Sequence, residues 1–205
     1  MSFDIDWNFI ARQEGEAVTT GYVPMNAQGA VFGQSGVTIA TGFDIGQHSI
    51  SDLNRLFGQH PDIIALLTPY VGLKRMRAVE ALRAQPLTIT DAQASIIDRA
   101  VKTAKARAIA TTYDAAVAST FRPTRQQRTA PTFRSLPREA QTVIMSVAFQ
   151  YGSLPTRTPT FWRYAVQQDW RSMERELRNF GDEYTSRRIR EADYLLPLNM
   201  ARASN

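Results

Sequence analysis

Apolar and polar positions follow two different periodicities along the chain. A short helix is predicted over residues 7–14, because Trp7, Phe9 and Ile10 recur at helical spacing behind a capping aspartate. Residues 18–43 change to Gly, Thr, Ser, Val and Tyr, with glycines separating short β-branched runs. This segment predicts a small antiparallel hairpin sheet.

Helical spacing dominates the remainder of the chain. The clearest signal is the capping box of Thr90 and Gln93, which is followed by an apolar stripe. Another helix, with a largely apolar sequence that predicts burial, is expected to begin after Pro137 and to end at Gly152. The predicted helices cover residues 51–58, 61–68, 74–84, 90–119, 137–151, 158–165 and 170–180, with a final helix through Tyr194. Residues 121–137 are rich in Pro, Thr and Arg and predict an exposed basic loop.

Composition narrows the chemistry that this chain of 205 residues can perform. It contains no cysteine, which excludes disulfides, thiol nucleophiles and thiolate metal sites. His48 and His60 are the only histidines, and they do not form a zinc motif or a catalytic triad pattern. No phosphate-binding loop is present. An enzyme of this composition is expected to work with carboxylates and without a cofactor or a metal.

Charge is distributed unevenly. The whole chain carries 24 basic and 19 acidic residues, a net charge of +5. Residues 1–60 have two basic and six acidic side chains, a net −4, so the remainder has a net +9. A basic body of this kind favours a polyanionic partner such as an anionic cell wall or a nucleic acid.

Three carboxylates bracket the predicted sheet. Glu14 and Glu16 precede it and Asp44 follows it, while residues 17–43 contain no acid. Glycoside hydrolysis needs two such groups, one protonated as general acid and one ionised to activate water or stabilise a cation. The same residues are also compatible with ordinary exposed acids, so their types alone leave both interpretations open.

Four motifs resemble those of phage-type lysozymes. Residues 9–15 (FIARQEG) and 37–42 (VTIATG) resemble the helix-Glu-Gly and Thr-Ile-Gly-x-Gly signatures of that family. Residues 147–152 (VAFQYG) and 185–190 (TSRRIR) are similar to its Phe-Gln-x-Gly helix and its last basic helix. The likeness covers both ends of the chain in order, with Ala40 in place of a glycine. Residues 50–135 match only in being helical.

The position of the aspartate distinguishes a branch of this superfamily. Familiar phage enzymes carry their Asp before the Thr, whereas this chain has it in residues 42–47 (GFDIGQ), six positions after Thr38. That arrangement resembles the pesticin branch of toxins and effectors. The resemblance implies Glu14 as general acid, with Asp44 and Thr38 holding the attacking water. It also implies that Arg187, or the adjacent Arg188, contacts Glu14.

Three further residues are candidates for contacts with the sugar. These are Gln47, Gln150 and Tyr151, although the last two stand at a helix end where structural roles are equally common. The resemblance places Arg187 with them among the expected substrate-binding residues. No metal ligand is expected among the site residues.

The resemblance implies an α+β, lysozyme-like fold with a cleft between two lobes. The small N-terminal lobe, residues 1–60, holds the first helix, the β-hairpin and the catalytic residues. The larger helical lobe comprises residues 61–205. Together they form one catalytic unit, which is expected to be a monomer.

The implied activity is that of a peptidoglycan-degrading muramidase, which cuts between N-acetylmuramic acid and N-acetylglucosamine. A lytic transglycosylase, a non-catalytic wall-binding module and, more remotely, a basic nucleic-acid-binding protein are the alternatives. The muramidase interpretation expects no nucleic-acid partner.

The expected location follows from the same resemblance and from the N-terminus. Asp4 and Asp6 stand where a secretory signal carries basic residues, and the longest apolar runs are too short to insert into a membrane. The protein is therefore expected to be made in the cytoplasm without a signal peptide. It would act on peptidoglycan in the periplasm of a target or host cell, after delivery by a secretion system or phage lysis. An antibacterial toxin of this kind implies a cognate immunity protein.

Overall fold

The structure, a computed structural model, describes residues 2–14, 17–122 and 129–203. The side chains of Glu14 and of residues 201–203 are outside this description, as are residues 123–128 of the predicted basic loop. The described chain is mostly helical with one small antiparallel sheet, which confirms the α+β, lysozyme-like fold class.

The elements follow the predicted order closely. The strands are β1 (Val18–Tyr22), β2 (Thr38–Ala40) and β3 (Phe43–Asp44). The helices are α1 (Trp7–Glu14), α2 (Ile50–Phe57), α3 (Pro61–Leu67), α4 (Met76–Ala84), α5 (Asp91–Thr120), α6 (Arg138–Tyr151), α7 (Leu154–Arg157), α8 (Pro159–Gln167), α9 (Trp170–Arg178), α10 (Thr185–Tyr194) and α11 (Leu196–Ala203). Short 3₁₀ turns occupy Ile45–Gln47, Thr68–Tyr70 and Phe133–Ser135.

Two helices were not expected from the pattern. The four-residue α7 fills the short interval after Gly152, and α11 continues the chain after α10. Leu195, which caps α10, keeps a helical backbone, so the chain turns directly into α11.

The chain forms two compact units. The division into lobes 1–60 and 61–205 that the resemblance implied stays a prediction. One unit is Glu14–Lys105, in which α2 to α4 and the first part of α5 pack on the sheet. Its core joins Ile39 and Phe43 of the sheet to Leu53, Leu67 and Ile97 of the helices. Helices over 61–105 therefore belong with the strands because they bury the apolar face of the sheet.

The other unit comprises residues 1–13 and 106–205. Most of α1 belongs to it, because Phe9 and Ile10 share its core with Val143, Ile144 and Val147 of α6. Apolar residues fill the centre of α6, as the period before Gly152 predicted, and that helix is the most completely buried in this unit.

Candidate active site

Thr38 and Asp44 lie directly opposite each other in the sheet. In the antiparallel pair of β2 and β3, Thr38 is the partner of Asp44 and Ile39 is the partner of Phe43. Directly opposed residues share one face of a sheet, and successive residues alternate between faces. Ile39 and Phe43 enter the apolar core, so Thr38 and Asp44 project from the other face.

The carboxylate of Asp44 is held by three N–H donors. The backbone N–H of Gly36 lies 3.1 and 3.2 Å from the two carboxylate oxygens, and the backbone N–H of Gly46 lies 3.0 Å from Oδ1. The Gln47 side-chain amide donates to Oδ2 at 3.1 Å. The Gly36 N–H is shared between the two oxygens, so these three donors make four contacts with the carboxylate, two on each oxygen.

Two glycines make this arrangement possible by close packing. A Cβ on Gly36 would lie 2.6 Å from both the Cα of Gly46 and the carbonyl oxygen of Leu73, and 2.7 Å from Asp44 Oδ1. A Cβ on Gly46 would overlap the same Leu73 oxygen. Only a residue without a side chain allows both backbone N–H groups to approach the carboxylate. The lack of space for a side chain at position 46 therefore explains the second glycine of the GFDIGQ motif.

Gln47, which the sequence predicts to contact sugar, also bridges two segments of the site. Its side-chain nitrogen donates to the carbonyl oxygen of Gln34 at 2.7 Å as well as to Asp44. The residue is exposed. Its predicted contact with sugar therefore stays a prediction, and its observed contacts orient the Asp44 carboxylate.

Tyr22 on β1 extends the row of Thr38 and Asp44, and no sequence motif pointed to it. Tyr22 is the partner of Thr38 in the antiparallel pairing of β1 and β2, so the three side chains share one face. Its side chain is 43% exposed, whereas Thr38 is 4% exposed. An exposed tyrosine beside two polar groups offers a flat apolar surface to a ligand. The alternation of residue types in β1 was the only sequence signal for the position of Tyr22. That signal does not give the pairing with Thr38, because a bulge shifts the register of β1.

Glu14 is the last residue of α1, as the helix-Glu-Gly motif predicted. Its side chain, Gly15 and Glu16, the alternative candidate for the general acid, lie outside the described residues. The assignment of Glu14 as general acid stays a prediction, as does its contact with an arginine.

In the other unit, Gln150 and Tyr151 are engaged in a buried ionic cluster, which we call the Arg188 cluster. Arg188 is 1% exposed and forms ion pairs with Asp182 and Glu191. It also donates to the side-chain oxygen of Gln150, while the Tyr151 hydroxyl donates to Asp182 Oδ2 at 2.5 Å. These contacts support structural roles for Gln150 and Tyr151, and their sugar contacts stay predictions.

Arg187 borders the Arg188 cluster. Its Nε lies 3.2 Å from Glu191 Oε1, and its Nη2 donates to the Ser146 carbonyl oxygen at 2.9 Å. Arg187 is therefore anchored to α6, and its predicted contact with Glu14 stays untested.

The charges of the Arg188 cluster are matched. Burial alone raises the pKa of the Asp182 carboxyl, but hydrogen bonds from Tyr151 and Arg188 outweigh it and hold that pKa below its ordinary value. Burial also disfavours the charged form of Arg188, yet the neighbouring carboxylates of Glu191 and Asp182 raise its pKa. Both groups stay ionised near neutrality because each is the other's counter-ion.

The described residues contain neither a cluster of metal ligands nor a membrane-spanning helix. In residues 2–14, 17–122 and 129–203, His and acidic side chains do not gather into a group of three or more that would hold a metal ion. Within the same ranges, each helix is too short or too polar to cross a membrane.

Comparison with known proteins gives one informative result. A search of curated proteins returns no match. The model of a protein family described as "Pesticin: Bacterial toxin homologue of phage lysozyme, C-term" matches residues 4–171, which include Glu14, Thr38 and Asp44. The match spans most of the chain and agrees with the α+β architecture. The chain therefore belongs to the pesticin family of bacterial toxins homologous to phage lysozyme.

Proposed function

We propose that this chain is a muramidase that hydrolyses the bond between N-acetylmuramic acid and N-acetylglucosamine in peptidoglycan. Its family is one of lysozyme-like toxins, which supports peptidoglycan as the substrate class. The observation that carries the proposal is the direct pairing of Thr38 with Asp44 on the non-core face of the sheet. This pairing places a hydroxyl directly opposite a carboxylate, and these are the two groups proposed to hold the attacking water.

The proposed mechanism divides the work between two carboxyl groups. Glu14 protonates the oxygen of the leaving sugar as the bond breaks. Asp44 accepts a proton from a water molecule that Thr38 helps to orient, and that water attacks the anomeric carbon. An attack from the face opposite the leaving group inverts the anomeric configuration. This scheme requires the two carboxyl groups to lie roughly 6.5–9.5 Å apart.

Tyr22 is the proposed sugar contact beside this pair. The C–H faces of a pyranose ring are apolar and pack well on an aromatic side chain, which supplies area at low entropic cost. Tyr22 is exposed and shares the face with Thr38. We therefore assign it to ground-state binding of the glycan rather than to the chemical step.

The toxin would act at the cell wall of a target cell. A toxin family of this kind is consistent with manufacture in one cell and action on peptidoglycan in the periplasm of another. The delivery route, by a secretion system or by phage lysis, and a cognate immunity protein in the producer belong to the proposal. The excess of basic residues after residue 60 would attract the anionic wall, and salt would weaken that attraction.

A digestion of purified sacculi tests the proposed chemistry. The wild-type chain is expected to release soluble muropeptides with new reducing ends, and proton NMR of the first-formed product is expected to show inversion. Anhydro-muramyl products would instead identify a lytic transglycosylase. Binding to sacculi without release would identify a wall-binding module.

Glu14→Gln and Glu16→Gln form a matched pair for the general acid. An amide cannot donate the proton, so Glu14→Gln is expected to lose roughly 10²–10⁴-fold in rate. Glu16→Gln is expected to keep ordinary activity. The reverse pattern would move the acid role to Glu16 and contradict the assignment made from the motif.

A further inference from the structure

The backbone of residues 33–36, which we call the 33–36 loop, contacts both proposed water-binding residues. The Gly36 N–H donates to the Asp44 carboxylate, and the Gly36 carbonyl oxygen accepts a hydrogen bond from Thr38 Oγ1 at 3.4 Å. A displacement of this loop would therefore move the Asp44 carboxylate and release the Thr38 hydroxyl together. The Ser35 N–H donates to the Phe32 carbonyl oxygen at 3.0 Å and closes a turn in this loop, but the loop belongs to no helix or strand, so contacts from other segments fix its position.

Arg75 supplies most of those contacts from a distant part of the sequence, beside the Gln47 amide that donates to the Gln34 carbonyl oxygen. Its backbone N–H donates to the Ser35 carbonyl oxygen at 2.8 Å, and its Nε donates to the Gly33 carbonyl oxygen at 3.0 Å, across 42 positions of sequence. Gln34 adds a third contact. In the amide orientation that the surrounding donors require, its side-chain oxygen accepts from Arg75 Nη2 at 2.6 Å. One arginine thus contacts three consecutive residues of the loop.

The backbone of Arg75 is strained in a way that the start of α4 does not require. Arg75 has φ 54° and ψ −135°, a conformation that glycine adopts easily and that other residues adopt at a cost. Its side chain makes no capping hydrogen bond to α4. Glycine would suit the backbone better, so the arginine side chain must serve another purpose. The described contacts of that side chain all go to the 33–36 loop.

We propose that Arg75 is a positioning residue, which fixes the 33–36 loop and thereby the Asp44 carboxylate and the Thr38 hydroxyl. The effect on catalysis rests on the proposed function, whereas the effect on the loop does not. A side chain that holds a loop without touching substrate changes the rate of the chemical step more than it changes binding. A misplacement of about 1 Å at reacting groups reduces rates by up to about 10²-fold.

Arg75→Gly isolates the side chain from the backbone. Glycine keeps the N–H that donates to Ser35, relieves the positive φ and removes the guanidinium contacts to Gly33 and Gln34. The expected result is a melting temperature equal to or above that of the wild type, together with a kcat reduced roughly 10–100-fold and a KM within about twofold. A merely structural role predicts the opposite, a lower melting temperature with unchanged kcat.

Two further variants complete the comparison. Arg75→Lys keeps a cation that reaches one carbonyl oxygen but lacks the guanidinium fork, so partial recovery of kcat is expected. Arg83→Ala is the matched control, because Arg83 is an exposed arginine in the last turn of α4. It is expected to behave as the wild type. Unchanged kcat in Arg75→Gly would overturn the proposal, even if Asp44→Asn is inactive.

Amide NMR separates this proposal from the proposed function. If the wild-type chain releases no muropeptides, the muramidase proposal fails, and the loop is still measurable. Arg75→Gly is expected to shift the amide signals of Gly36, Gly46 and Thr38, whereas Arg83→Ala leaves them in place. Unshifted signals for these three residues in Arg75→Gly would refute the positioning role.

Discussion

Replacement of Asp44 by asparagine tests the site most directly, because the structure predicts a limited cost in stability and a large cost in activity. The side-chain oxygen of the introduced asparagine can still accept from the N–H groups of Gly36 and Gly46, which lie 3.1 and 3.0 Å from Oδ1. The introduced amide nitrogen then faces the Gln47 amide, a donor that now contacts Oδ2 at 3.1 Å. If Gln47 turned its side-chain oxygen toward this new donor, its nitrogen would leave the Gln34 carbonyl oxygen.

The expected loss of stability follows from these hydrogen bonds. The two contacts to Oδ2, from Gly36 and Gln47, are lost and the contacts to Oδ1 become neutral, which for a partly exposed residue costs about 1–3 kcal/mol. For a chain of this length, 1 kcal/mol lowers the melting temperature by roughly 2–4 °C. The same substitution removes the acceptor for the water proton, so muropeptide release is expected to fall by roughly 10²–10⁴-fold.

Asp52→Asn is the matched control for this substitution. Asp52 also accepts hydrogen bonds from a backbone N–H and a side chain, both from Ser49, and it lies in the same unit. It is expected to lose stability while the rate per folded molecule stays near that of the wild type. Asp44→Asn with ordinary activity, or with a loss no greater than that of Asp52→Asn, would refute the two-carboxylate scheme. Thermal unfolding and sacculus digestion on the same samples give both quantities.

Three further predictions concern close packing, glycan binding and alkaline stability. Gly36→Ala is expected to lose about 1–3 kcal/mol and most activity, since its Cβ would lie 2.7 Å from Asp44 Oδ1; Gly29→Ala, with φ +78° and nothing within 4 Å, is expected to lose stability alone. Tyr22→Ala is expected to raise KM for glycan oligomers while Tyr22→Phe keeps it, and an unchanged KM in Tyr22→Ala would contradict the assignment. Burial raises the pKa of Tyr113 from 10.0 to about 12. Between these values the unfolded chain releases the phenol proton first, so the free energy of unfolding falls as pH rises. Tyr113→Phe is expected to flatten that decline in denaturant titrations from about pH 10 to about pH 12, and an equally steep decline would refute it.

Local sequence patterns predicted most of the helices and strands, because the ends of these elements depend on residues close together in the sequence. The capping box of Thr90 and Gln93 forms as expected at the start of α5. The glycine that Ala40 replaces in the family motif stands at a position with φ 52°, where glycine is sterically preferred.

Contacts between distant segments were beyond the reach of such patterns. Tyr22 and Thr38 are separated by a long connection, and a bulge in β1 sets their register, so hydrophobic alternation alone did not pair them. The contacts of Arg75 with the 33–36 loop have no local signature. Arg187 and Arg188 are adjacent on α10, and only the packing against α6 decides that Arg188 is the fully buried one.

The Arg188 cluster determines how short a working chain can be. The family match ends at residue 171, yet Asp182, Arg188 and Glu191 all follow it. A chain cut at that boundary would leave the buried Ser146 hydroxyl without its partner, the Glu191 carboxylate. It would also remove Leu177, Ala192 and Leu195 from the hydrophobic core around α6. Buried polar groups stranded in this way destabilise a fold strongly. During synthesis, the unit built around α6 therefore becomes complete only after α10 has left the ribosome.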